Sequence, residues 1–215
     1  MRAMRIAVLA LLAGCASGPP APDWQSNAQA ALKNFEKYYL EGNSRAADAE
    51  FARARSALTA TGRADLVARA ELFRCAAQVA SLDINDCPGF EPLSVDATAA
   101  DRAYGAFIAG RWQGLDANLL PAQQRAVISG NGATLPVSDD PMTGLVAAGA
   151  LFRAGRISPA GISAATELAA AQGWRRPLLA WLGLEAKRAD SAGDAEAAAR
   201  IRRRIALVSG DAAKP

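Results

Sequence analysis

The chain has 215 residues, of which 51% are hydrophobic and 6% aromatic, with 24 basic against 21 acidic side chains and no histidine. Without histidine there is no His-based triad, Cys-His dyad or typical catalytic zinc site. The net charge of +3 provides no clustered excess of Lys and Arg of the kind a nucleic-acid face needs, so no nucleic-acid partner is expected.

The chain opens with Arg2 and Arg5 around an unbroken apolar run over residues 6–13. A membrane-crossing helix needs about 20 apolar residues, so this run is too short to span and reads as the apolar core of an export signal. The run ends in Leu12-Ala13-Gly14-Cys15, which resembles the lipobox of bacterial lipoproteins. The resemblance implies cleavage before Cys15, a diacylglycerol on its thiol and a fatty acid on the freed amine. Multiple chains of this kind anchor stably through burial worth about 0.8 kcal/mol per CH₂. Ala16 stands where an aspartate would signal inner-membrane retention, which implies the outer membrane, facing the periplasm. The alternative is an ordinary signal peptide with a chance cysteine. Removal of residues 1–14 takes both arginines with it and lowers the net charge from +3 to about +1.

Residues 15–22 are a Pro-rich tether. In polyproline II form its seven residues after Cys15 reach roughly 20 Å. From Trp24 the apolar positions Trp24, Ala28, Ala31, Leu32, Phe35, Tyr38 and Tyr39 recur at helical spacing until Gly42-Asn43. A second helix follows with Ser44 as a cap and Ala47, Phe51, Ala54 and Leu58 on one stripe. A third covers 65–82, and the short connections make antiparallel neighbours.

Gly42-x4-Ala47-x3-Phe51-x2-Ala54 is similar to the second half of a tetratricopeptide repeat: Gly turns the chain, small residues admit close helix approach and the aromatic fills the gap. The first half departs from that pattern, with Ala31 in place of a large aromatic. Phe107-Ile-Ala-Gly-Arg111 and Phe152-Arg-Ala-Gly-Arg156 share a helix-ending pattern at unequal intervals, which indicates degenerate hairpins rather than a regular array.

A fourth helix is predicted over 97–109 and a short fifth over 121–128. The Gly/Pro-rich stretch 129–140 is the best boundary between an N-terminal helical region, 23–128, and C-terminal hairpins, 141–209. Beyond it, Asp140 with Pro141 and Ser158 with Pro159 cap two helices, Pro177 opens the next, 195–208 is the last and 210–215 is a tail. Alternation typical of strands is missing and Ala dominates, so the expected fold is all-α, built of antiparallel helical hairpins.

Cys75 and Cys87 remain as an even pair once Cys15 is lipidated, and export to an oxidising compartment predicts a disulfide. Closing a loop of about a dozen residues contributes on the order of 3 kcal/mol in the chain-entropy view. A redox role would call for Cys-x-x-Cys spacing. Two cysteines without histidine do not complete a four-ligand metal site, and Ser129-Gly-Asn-Gly-Ala133 lacks the lysine of a phosphate loop, so no cofactor or metal is expected.

Carboxylate pairs Asp139-Asp140 and Asp83/Asp86 are the only candidates for catalysis, of the glycan-hydrolysing kind, and a capping role explains Asp140 better. For binding, Trp174-Arg175-Arg176-Pro177 is notable because two cations precede a helix at the positive end of its dipole. Arg175 neutralising the carbonyls of the preceding helix is the alternative. Arg200 and Arg202-Arg203-Arg204 form a solvated face or an anionic-lipid contact. In the tetratricopeptide-like register Gln29, Leu32, Glu36 and Tyr39 share a mixed face that suits a protein partner; the alternative is that Leu32 and Tyr39 cover the neighbouring helix. The expectation is therefore an envelope scaffold held to the membrane by lipid, with an unidentified envelope protein as partner and Gln29, Leu32, Glu36, Tyr39, Arg175 and Arg176 as contacts.

Overall fold

The computed structural model describes residues 22–130, 135 and 140–210; the lipobox, Cys15 and Asp139 lie outside these. Among the described residues there are nine α-helices and no strand: α1 (Asp23–Glu41), α2 (Ser44–Thr59), α3 (Ala64–Ala80), α4 (Ala99–Ile108), α5 (Ala122–Ser129), α6 (Pro141–Arg153), α7 (Pro159–Ala171), α8 (Arg175–Ser191) and α9 (Ala195–Ser209). The expected all-α fold of helical hairpins is the fold observed. No helix in the described part is long and apolar enough to cross a membrane.

The first hairpin turns at Gly42, whose φ of 89° is open to glycine at little cost. Its N–H donates to the carbonyls of Tyr38 and Tyr39, which closes α1. Asn43, not Ser44, caps α2: its side chain accepts from Ala46 N at 3.3 Å, and Ser44 is already the first helical residue. Ala47, Phe51 and Ala54 are buried, and the Phe51 ring lies 5.3 Å from that of Phe35, which also meets Tyr39 and Phe73. Small residues thus let the helices approach while one aromatic cluster fills the interior.

Helices α3 and α6 form the centre. In α3, Ala68, Ala77 and Ala80 are fully buried, and in α6 Leu145, Ala148 and Ala150 are likewise. A helix apolar around most of its circumference belongs inside. The two come together at Gly149, where a Cβ would lie 2.2 Å from the Val79 carbonyl oxygen, so only glycine admits this approach.

Contacts also cross the stretch 129–140. The helices on either side of the break pack against each other, and one continuous core runs from Ala28 to Leu182. Helix α8 also returns to pack against α1.

Helix ends follow the capping chemistry with one further correction. Asp140 and Ser158 cap α6 and α7 as expected, and Thr98 with Asp101 adds a capping box at α4. Pro177 does not open α8, which begins at Arg175 with Trp174 at the cap position. A proline two residues into the first turn still lacks only an N–H that has no intrahelical partner, so the helix tolerates it.

Candidate functional site

The stripe of α1 expected to meet a partner descends into the fold. Gln29 is exposed, Leu32 and Glu36 are half-buried, and Tyr39 is buried at 7% exposure. Burial raises the Glu36 carboxyl above its ordinary range, and the charge of Asp140 adds to the shift. Asp140 itself accepts from Met142 N, Thr143 N and Thr143 Oγ1 at 3.1, 3.2 and 2.7 Å, the duties of a helix cap.

Tyr39 meets Arg176 at an internal junction. Arg176 Nε donates to the Tyr39 carbonyl at 2.6 Å and Nη2 to Ser44 Oγ at 2.7 Å, while the guanidinium lies 4.2 Å from the centre of the Tyr39 ring. The Tyr39 hydroxyl in turn donates to Asp83 Oδ2 at 3.0 Å. Burial and the neighbouring Asp83 carboxylate hold the phenol well above its usual range, opposed in part by Arg176 and Arg74.

Arg175 works in the same way at another helix end. Its Nη2 donates at 2.7 Å to the carbonyl of Ser209, the last residue of α9, and not to the end of the preceding helix α7. Two cations at the unfavourable end of α8 are thus explained by the negative ends of two neighbouring helices, α1 and α9. Both arginines of the expected binding motif join helices within the chain, and Trp181 is core.

The arginines of α9 are also largely engaged. Arg200 pairs with Glu196, Arg202 with Asp190 at 2.7 Å and Arg204 with Glu167 at 2.9 Å, which leaves Arg203 exposed among its acid-paired neighbours. This arrangement is a solvated, charge-balanced face.

The sulfurs of Cys75 and Cys87 sit at disulfide distance, with Cα atoms 5.6 Å apart, joining α3 to the segment 81–98 that leads to α4. That segment carries the other carboxylates considered for catalysis. Asp83 receives the Tyr39 hydroxyl, and Asp86 Oδ1 accepts from Arg153 Nη2 at 3.2 Å, so both have structural partners.

Two clefts flank α4. One, of about 180 Å³, lies between the segment and the helix and is lined by Cys87, Phe90, Glu91, Arg102, Ala106 and Arg111 among others. The other, about 580 Å³, shares Arg102, Ala106 and Arg111 and is completed by Leu115 and Leu119. Neither was visible as a site in the sequence. The recurrent Phe-x-Ala-Gly-Arg elbow was the available signal. In the fold the two elbows touch: a Cβ on Gly110 would lie 2.7 Å from Ala154 N. Arg156 leaves its elbow to donate to the carbonyls of Ile128 and Gly130 at 2.9 and 2.7 Å and covers the Trp112 ring.

No group of three or more His, Cys, Asp or Glu suited to a metal ion occurs among the described residues. The fold and these sites together define an all-α protein whose hairpins are clasped by arginines at helix ends. No protein-family model, curated protein or solved structure matches the chain.

Proposed function

We propose that this protein is a lipid-tethered scaffold on the periplasmic face of the bacterial outer membrane, which holds an envelope protein against its helical hairpins. The lipobox-like Leu12-Ala13-Gly14-Cys15 supports the anchor. The observation that carries the scaffold reading is the mixed outer stripe at the start of α1, where exposed Gln29 adjoins half-buried Leu32 and Glu36 directly after the tether. A tether of about 20 Å keeps such a surface close to the lipid and within reach of membrane-bound machinery. Tyr39, Arg175 and Arg176 serve this function by fixing the hairpins.

Two experiments test the reading in cells. Fatty-acid labelling should be lost in Cys15→Ser; unchanged incorporation rejects the anchor. A photo-crosslinker at Gln29 should give a discrete adduct that Glu36→Lys abolishes, whereas one at Arg203 should not. The same adducts from both positions reject the surface.

A further inference from the structure

The segment 81–98 is long for a connection inside a compact fold, yet it is anchored at both ends by other elements. At its start, the Tyr39 hydroxyl from α1 holds Asp83, and Arg153 from α6 donates to the Asn85 carbonyl at 2.6 Å and to Asp86. At its end, Arg102 of α4 donates to the carbonyls of Ser94 and Ala97. Residues 87–93 lie between these two sets. They form a small body of their own, since Phe90 N and Glu91 N both donate to the Cys87 carbonyl and a 3-10 turn follows at Glu91–Leu93.

This body covers two things that water would otherwise reach. Glu71 of α3 is a buried carboxylate at 5% exposure, paired to Arg55 Nε at 3.0 Å, and Gly89 lies directly over it: a Cβ there would fall 2.1 Å from Glu71 Oε2. Phe90 is buried against Gly105 of α4, where a Cβ would lie 3.0 Å from the ring. The covalent tie over this stretch is the sulfur pair, and Cys87 has a φ of 51°, a left-handed conformation unfavourable for a residue with a Cβ.

We infer that residues 87–93 are a flap, hinged at Asp86 and Ser94 and clipped shut by the Cys75–Cys87 disulfide, whose reduction opens the cleft beside α4 without unfolding the helices. Two features favour opening once the clip is cut: Cys87 relaxes from its left-handed conformation and Glu71 regains water, while the anchors at 83–86 and 94–97 confine the motion to the residues between them. Loss of Phe90 burial opposes it. The chemistry is thiol–disulfide exchange with a dithiol: its first thiolate forms a mixed disulfide with one cysteine, and its second displaces that cysteine. Two electrons and two protons pass to the protein, which ends as two thiols, and the reductant ends as a cyclic disulfide. The inference stands apart from the scaffold reading, because it concerns only the cleft wall.

Hydrogen exchange read by mass spectrometry on the whole mature chain tests it, before and after treatment with dithiothreitol, with two thiols per chain titrated as the check on reduction. Exchange in a peptide covering 87–93 should rise at least tenfold, while α3, α4 and α6 stay within twofold. Unchanged exchange over 87–93 after full reduction overturns the flap, and loss of protection throughout the helices shows a global staple instead.

Discussion

The indole Nε1 of Trp181 in α8 donates to the carbonyl of Ala80 at the end of α3 across 3.0 Å, and both partners are fully buried. These residues are 101 apart in sequence, and the bond ties the C-terminal hairpins to the central helix. Removing the donor leaves a buried carbonyl unpaired, which costs about 1–3 kcal/mol, beyond the packing lost with the smaller ring. Trp181→Phe should therefore lower the melting temperature by several degrees, as about 1 kcal/mol moves a domain of this size by roughly 2–4 °C. Calorimetry on the folded chain measures it, and an unchanged midpoint contradicts the assigned role.

Gly149 and Gly183 make opposite predictions from one substitution. At Gly149 an added Cβ collides with the Val79 backbone where α3 and α6 approach, and overpacking of this kind costs about 1–3 kcal/mol or more. At Gly183, inside α8, an added Cβ meets nothing within 4 Å. Gly183→Ala should stabilise by about 0.5–1 kcal/mol, because alanine loses less backbone entropy on entering a helix. Denaturant titration of the two variants separates them by sign.

Arg175 and Arg176 should behave as structural residues with unequal weight. Arg176 has two hydrogen bonds and the Tyr39 ring, at a part-buried site, whereas Arg175 has one bond at an exposed site. Arg176→Met should destabilise the chain by about 2 kcal/mol, in keeping with hydrogen bonds to charged groups, and Arg175→Met by less than about 1 kcal/mol. Equal effects would show that the junction at Tyr39 is not the stronger clasp.

The half-buried Glu36 implies a pH dependence whose sign follows from its raised carboxyl. The folded state holds this proton more tightly than the unfolded state does, so ionisation penalises folding as pH rises through the carboxylate range. Glu36→Gln removes the penalty. The variant should be more stable than the parent at pH 7, with the difference vanishing in acid where Glu36 is protonated. Paired melting curves from pH 4 to pH 7.5 check this, and a constant difference across the range refutes it. At the alkaline end the raised Tyr39 phenol acts in the same sense: stability should fall once the unfolded chain begins to lose this proton near pH 10.

Local chemistry in the sequence determined the all-α class, the positions of nearly every helix and the caps at Asp140 and Ser158, because periodicity and capping act over a few residues. It also singled out Cys75 with Cys87 by parity, and the structure brings their sulfurs together. Only the tertiary structure decided what lay between distant segments. The Gly/Pro-rich break at 129–140 reads as a boundary locally, yet Gly149 lets α6 lie against α3 across it. The arginines in the first turn of α8 break a dipole rule within their own helix and satisfy it at the ends of α1 and α9, which no local window contains. Tyr39 belongs to a mixed stripe along α1, but whether such a residue faces solvent or core depends on where α8 returns. Helical spacing specifies which residues share a face, whereas packing between elements far apart in sequence decides what that face meets.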